Sequence, residues 1–495
     1  IHCTHPDEGK KNQKQEGGKQ TMGAMNSKPK FRLTFWALAR RSETLLSVLL
    51  ALSLVSAAWA VEPPRALFSV QVGAFTTPQE AQRLAAELGG KGIRPVAVVE
   101  EAPWFKVRVG RVEDYPTAMI LKEKLGEVGL ADRFIVETSN TAQLMEEPFE
   151  VPGAKPLIDC SALEPVPSRP LHDAPPEGYK GLPTPEELGM GPYVIPPVAG
   201  SVEIRQKGVP RDPDADAKVK ALEARVSAAP VGSVERGYLS YWLALAKERR
   251  DGKKSDALAI MEALAKGQIP VPPGYRKLAW RQVADMAHYT YHKYFYAHRL
   301  YREMLACWAF TPDEKAELTT QLAGTYLELL DSKKGHPADV RRACAKLMEG
   351  LDAKYVRERA TIDLIASETP FWEKNYVRAI EEAKRIQKQY AAIQHVYAQA
   401  MWNEMIAWSR RGYLEQAIVV GKQLVQMGDS FDLSRSFKKR LEGRWDIPYK
   451  AAARVALYCD EANNLEGQTL YSDIAARRKE NVSTPVDQYP GYGDR

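Results

Sequence analysis

The stretch from Phe68 to Gly92, FSVQVGAFTTPQEAQRLAAELGGKG, is answered 37 positions later by Phe105 to Gly129, FKVRVGRVEDYPTAMILKEKLGEVG. Phe68, Val70, Val72 and Gly73 recur as Phe105, Val107, Val109 and Gly110. Ala81, Leu84, Leu88 and Gly92 recur as Ala118, Leu121, Leu125 and Gly129. The three apolar residues of the first group alternate and a glycine follows the last, which is strand spacing. The second recurs at i, i+3 and i+7, which is helix spacing, and its last glycine stops the helix. A further strand follows each copy, RPVAVV near 94–99 and RFIV near 133–136. The order β-α-β-β-α-β predicts an α+β, ferredoxin-like domain over residues 66–138, two helices lying on one face of a four-stranded sheet. Thr77-Pro78-Gln79-Glu80 supplies a capping threonine, a proline at the first helical position and a glutamate three residues after the cap. Asp114 takes the capping place in the second copy.

Side chains alternate across a strand. Phe68, Val70 and Val72 are therefore expected to face the helices, leaving Ser69, Gln71 and Gly73 on the open face. In the third strand Phe105, Val107 and Val109 face inward, and Trp104, Lys106 and Arg108 outward. Sugars are held by an aromatic ring to stack on and by amide or guanidinium groups that bond hydroxyls. A face carrying Ser69, Gln71, Trp104, Lys106 and Arg108 offers both, although an ordinary solvated sheet face with one partly covered tryptophan would look similar.

The strings VQVGAF and FKVRVG, the Ala-x2-Leu-x3-Leu helices and the closing FIV resemble a SPOR domain. The resemblance covers about one seventh of the chain, with both half-repeats in register. It implies binding to bacterial peptidoglycan, specifically to glycan strands stripped of their peptide stems. It also implies that the first-strand glutamine, Gln71, is a glycan contact, with Trp104 and Arg108 matching by face. SPOR domains more often stand at the C-terminal end of their proteins; this one follows the leader.

Residues 44–56, TLLSVLLALSLVS, form an apolar run too short to span a bilayer comfortably. Lys28, Lys30, Arg32, Arg40 and Arg41 precede it, and Ala58-Trp59-Ala60 follows. Residues 25–60 read as a secretory signal peptide with the mature chain starting near Val61, and residues 1–24 as an upstream extension ahead of a start at Met22 or Met25. No cysteine stands directly after the cleavage site, so a lipid anchor is not expected. The expected location is periplasmic, associated with the cell wall.

Residues 1–60 carry 9 Lys/Arg and 4 Asp/Glu of the 69 and 63 in the chain, so the remainder, with 60 and 59, is nearly neutral. The basic excess belongs to the leader, and no nucleic-acid partner is expected. Cys160, Cys307, Cys344 and Cys459 remain after the leader. Export permits disulfides, but three of these sit in apolar helical stretches, where buried free thiols are the reading from sequence. Their spacing shows no metal-ligand pattern.

Residues 139–213 read as a proline-rich, extended linker: 15 of the 33 prolines fall between 138 and 213. Beyond it, residues 214–480 read as consecutive amphipathic helices, with 481–495 as a disordered tail. The clearest unit is AWSRRGYLEQAIVVGKQLVQMG, residues 407–428, which places Ala417 at a close helix crossing. Related patterns surround Ala257, Ala297, Ala343 and Ala379, at spacings of 40, 46, 36 and 38 residues. The pattern is similar to degenerate tetratricopeptide (TPR) repeats, and a plain helical-hairpin solenoid fits it as well. Either implies a curved platform for a protein partner.

Little in the sequence points to catalysis. His288 and His292 have metal-like helical spacing, but Tyr289 stands where a zincin helix needs glutamate. The tyrosines around them read as helix packing. Lys438-Lys439-Arg440 reads as a solvated helix face. No Gly-x-Ser-x-Gly and no phosphate-cradling glycine loop occurs. The sequence thus favours a non-enzymatic peptidoglycan-binding adaptor without cofactor or metal, acting in cell division or wall remodelling. The alternative is a wall hydrolase, amidase or activator with its groups in the helical half.

Overall fold

The strand and helix periods of the repeat are realised in a computed structural model that describes residues 67–138, 149, 151–167, 175, 178, 179, 181–190, 214–251, 254–331, 335–430 and 447–479. The leader, the tail and Lys438-Lys439-Arg440 lie outside the described residues. The repeat folds as β1 (Leu67–Phe75), α1 (Pro78–Gly90), β2 (Val96–Glu101), β3 (Trp104–Val112), α2 (Tyr115–Glu127) and β4 (Phe134–Thr138). The sheet is antiparallel, in the order β2-β3-β1-β4. Val70, Val72, Val107 and Val109 pack with Ala81 and Leu88 of α1 and Leu121 and Leu125 of α2 in one core.

Both helices end as the glycines predict. Gly92 and Gly129 adopt φ of 77° and 90°, and the Ile93 and Leu130 amides bond back to the Leu88 and Leu125 carbonyls. Asp114 caps α2, accepting from the Thr117 amide at 2.7 Å. Thr77 differs from expectation. Its hydroxyl donates to Glu80 Oε2 at 2.9 Å instead of accepting from a backbone amide.

Strict alternation also fails at one place. The pairing of β1 with β3 shifts by one residue between Gln71 and Gly73. Gly73 therefore stands opposite the core residue Val107, and a Cβ placed on it would lie 2.8 Å from Phe75 Cε2 and 2.9 Å from Leu84 Cδ2. Gly73 faces the helices, not the open face, because the irregularity inserts a residue that the period of two does not count. A second shift near Gly110 coincides with φ of 70° at that residue.

The helical region comprises α3 (Ala215–Ala228), α4 (Val234–Asp251), α5 (Ala257–Ala265), α6 (Tyr275–Asp285), α7 (Tyr294–Ala306), α8 (Pro312–Asp331), α9 (Pro337–Glu349), α10 (Val356–Ser367), α11 (Thr369–Trp372), α12 (Tyr376–Gln389), α13 (Gln394–Arg410), α14 (Leu414–Ser430), α15 (Ile447–Glu461) and α16 (Leu465–Lys479). Helices adjacent in sequence pack on one another along most of its length. Ala257, Ala297, Ala379 and Ala417 are fully buried. Ala343 is half-buried, and its neighbour Cys344 takes the interior place. Gly421 also sets the crossing of α14: a Cβ there would lie 2.9 Å from Met405 Sδ and overlap Val455. Among the described residues no helix is long and apolar enough to cross a membrane.

The proline-rich segment is irregular over its described residues, apart from a 3-10 turn at Cys160–Ala162, but it does not hang free. Ile158, Leu163, Leu188 and Met190 are buried in the helical core. Tyr238 donates to the Pro183 carbonyl at 2.7 Å, and the Gly274 amide to Glu164 at 2.7 Å. Cys160 is joined to Cys307 by a disulfide, while Cys344 and Cys459 are buried free thiols. Cys307 is thus a correction to the free-thiol reading. It lies one residue beyond the end of α7, where the returning segment reaches it, and its partner is too distant in sequence for spacing to reveal. Prolines prevent this segment from building a core of its own, yet its apolar side chains complete another one.

Candidate functional site

Residues paired across neighbouring strands share a face. Register therefore assembles the open side of the sheet. One row runs Ala97, Arg108, Gln71, Phe134; the next runs Val99, Lys106, Ala74. Glu101 stands opposite Trp104 at one end, and Ser69 opposite Val136 at the other. All five residues singled out in the sequence, Ser69, Gln71, Trp104, Lys106 and Arg108, fall on this face.

Their accessibility differs. Trp104 is 43% exposed, and Gln71 and Lys106 are half-buried. Ser69 and Arg108 are buried, at 5% and 8%. Arg108 Nη2 donates to Glu101 Oε1 and Lys106 Nζ to Glu101 Oε2, both at 2.5 Å. These hydrogen bonds, from Lys106 first and then Arg108, hold the Glu101 carboxyl below its ordinary range. Arg108 is thereby engaged in fixing Glu101, and Glu101 presents an ionised acceptor between Trp104 and Lys106.

Phe134 is 62% exposed and pairs directly with Gln71. Sequence reasoning treats FIV only as a closing strand, yet the signal is there. Ile135 packs inward, so its neighbours Phe134 and Val136 must face outward. Phe134 thus adds an exposed aromatic ring directly beside the polar row. The face thus presents two accessible rings, an amide, an ammonium and a carboxylate: stacking surfaces flanked by donors and acceptors for hydroxyl groups.

The helical half holds polar groups of another kind. Asp285 accepts from the Tyr301 hydroxyl at 2.8 Å, and burial pushes its carboxyl up to about 7 against the attraction of Arg281. Glu248 accepts from Thr290 at 2.5 Å. His288 sits in a π-helical turn, Met286–Thr290, that ends α6, and His292 lies beyond it with φ of 55°. The two histidines therefore do not share a helix face. No group of three or more His, Cys, Asp or Glu is placed to hold a metal among the described residues. A cleft of about 130 Å³ is lined by Arg341, Thr369, Arg378, Glu382 and Arg385. Within it Arg341 is paired with Glu373, and Arg385 with Asp363 and Glu382.

The SPOR domain family model matches residues 64–137. A SPOR domain is a non-catalytic module that implies peptidoglycan binding, typically in cell division, and such domains occur in cell-envelope proteins. No curated protein matches the chain. Among solved structures, the chain is similar to the crystal structure of BtubC (BKLC) from P. vanneervenii, at 13% identity over 57% of this chain and 96% of that one. The TM-score of 0.32 is too low for that likeness to bear on function.

Proposed function

We propose that this protein is a non-catalytic adaptor of the bacterial cell envelope, gripping denuded peptidoglycan glycan strands with the open face of its sheet. The observation that carries the reading is the register of that face, which sets the exposed rings of Phe134 and Trp104 around Gln71, Lys106 and Glu101. In this reading the rings stack on sugar faces, Gln71 and Lys106 donate to hydroxyls, and Glu101 accepts. Ser69 and Arg108 form the floor, with Arg108 fixing Glu101. The domain is a ferredoxin-like βαββαβ unit and the helices a TPR-like solenoid that offers a platform to a protein partner. Export by the 25–60 signal would bring both to the periplasm for division or wall remodelling.

Co-sedimentation of the full chain with sacculi stripped of stem peptides tests the face. Gln71→Ala, Trp104→Ala and Phe134→Ala should each weaken binding by about 1–2 kcal/mol, because each removes one stacking or hydrogen-bonding contact. Their circular-dichroism melts should match the parent, since none of the three is in the core. Undiminished pelleting of all three variants would remove the sheet face as the binding surface.

A further inference from the structure

Within a few residues, the segment from Phe149 to Val166 touches both halves of the molecule. Phe149 and Val151 pack against the core of the sheet module, and Lys124 of α2 lies 5.5 Å from the Phe149 ring centre. Ile158 and Leu163 are buried in the helical core, with Val166 packed against it. Farther along, Arg276 Nη1 donates to the Ala162 carbonyl at 3.2 Å.

One helix receives most of the fastenings. Phe295, Arg299, Glu303 and Cys307 follow one another at intervals of four along α7 and just past its end, so they form a single stripe. Phe295 meets the Tyr115 ring of α2 at 5.9 Å. Arg299 is 4% exposed and donates to Glu127 at 2.8 Å, to Glu123 at 3.4 Å and to the Lys155 carbonyl at 3.1 Å. Arg299 Nε also bonds Glu303, whose other oxygen accepts from the Ile158 amide at 3.0 Å. Arg302, beside the stripe, donates to Thr117 Oγ1 at 2.6 Å. Cys307 closes the series with the disulfide to Cys160.

We propose that Phe149 and residues 151–166 form a strap holding the sheet module in one orientation on the helical region, and that the Cys160–Cys307 disulfide is its redox-sensitive buckle. A dithiol reductant would open it by exchange. One of its thiolates attacks the sulfur of Cys160, the half-buried partner, and the S–S bond breaks with Cys307 leaving as a thiolate that takes up a proton. The second thiol resolves the mixed disulfide, and Cys160 is released and protonated. Two electrons pass from the dithiol, which ends as a disulfide, to the protein. The bond closes a sequence separation of 147 residues, so it restrains much of the chain. Once it opens, the strap keeps its polar bonds, the buried Ile158 and Leu163, and the partly buried Leu157 and Val166 on the helical side.

The test uses the full chain carrying dyes on azido amino acids placed at Gln82 of α1 and Lys388 of α12, both exposed. The oxidised protein should give one narrow single-molecule distance distribution. Dithiothreitol, or the pair Cys160→Ser and Cys307→Ser, should broaden it about twofold, and peptides spanning 151–166 should exchange hydrogen about tenfold faster. Helical circular dichroism should be unchanged. Unaltered distance and exchange after reduction would overturn the proposal. So would a loss of helical signal, which would make the disulfide a general staple of the helical fold. Neither readout depends on glycan binding.

Discussion

Arg83 of α1 is exposed, whereas Ile120, its counterpart in the second copy of the repeat, is buried. The difference extends along the two helices. Helix α1 buries Ala81 and Leu88 against the sheet, while α2 buries Pro116, Thr117, Ala118, Ile120, Leu121 and Leu125. Ala118, Leu121 and Leu125 serve the sheet core, as their counterparts do. Thr117, Ile120, Glu123 and Glu127 form a second stripe, and three of these four bond Arg299 or Arg302 of α7. Residues common to the two copies therefore specify the sheet module. Residues that differ specify which helix is docked and which stays in water.

The largest effect should separate the paired glycines. At Gly110 the backbone has φ of 70° and a Cβ would overlap Leu121 Cδ2, so Gly110→Ala should cost about 2–5 kcal/mol through left-handed strain and overpacking. At Gly73 the nearest atoms are the ends of the Phe75 and Leu84 side chains, which can shift, so Gly73→Ala should cost about 1–2 kcal/mol. Hydrogen exchange of β1 and β3 amides in the full chain reads both losses. Equal losses would show that the two copies do not differ at this position.

Ile120→Arg, which writes the first copy's residue into the second, should come next. It drives a charge into the face against α7 and should cost about 2–4 kcal/mol, relieved by undocking. Calorimetry should then show the sheet module melting apart from the helices. A single transition at the parent temperature would mean that the second stripe does not hold the two together.

This interface explains what can and cannot be read from sequence. Alternation and helix spacing place every element of the repeat, with boundaries off by two residues at β2 and β4, because periodicity within a segment is local information. Gly73 is misplaced by alternation because a bulge is set by the partner strand. Phe134 is easily overlooked, although its outward position follows from Ile135. The strap escapes because prolines and irregular backbone signal a tether by composition. Whether its Ile158 and Leu163 find a core depends on helices more distant in the chain, and the Cys160–Cys307 pairing is remote in the same way. The contrast between Arg83 and Ile120 is available in the aligned copies, and it is the one cue to docking that needs no structure.

Acidity should tune the docked copy by a smaller amount. Asp339 of α9 is buried, and that burial, with Asp114 and Glu137 of the sheet module adding repulsion against the pull of Arg342, pushes its carboxyl up to about 6. Burial raises Asp114 as well, opposed by the Thr117 hydrogen bond and by Arg302. A raised carboxyl binds its proton more tightly in the folded state than in the unfolded chain. Stability therefore falls as pH rises from the unfolded value near 4 to about 6, and stays low above it. Asp339→Asn should stabilise the protein at pH 7.5 by on the order of 1–2 kcal/mol and have little effect at pH 4.5. Denaturant melts at the two pH values check the sign. Equal stabilisation at both would mean that charge at this interface is not the cause.

The smallest effect belongs to the reverse exchange, Arg83→Ile. Its site on α1 is exposed, and the neighbouring first-copy residues Gln79 and Glu80 are exposed too, so no packed surface waits for an isoleucine there. An exposed substitution of this kind should change stability by no more than about 0.5 kcal/mol. Isoleucine loses slightly on helix propensity relative to arginine and gains no burial. The orientation of the module on α7 should not respond, because α1 takes no part in the Arg299 and Arg302 bonds. The same distance measurement that tests the strap should therefore return the parent distribution. A gain of more than about 1 kcal/mol, or a second docked distance, would mean that α1 can also recruit a helical partner once given the second copy's residue. The asymmetry between the copies would then rest on this single side chain and not on the whole stripe.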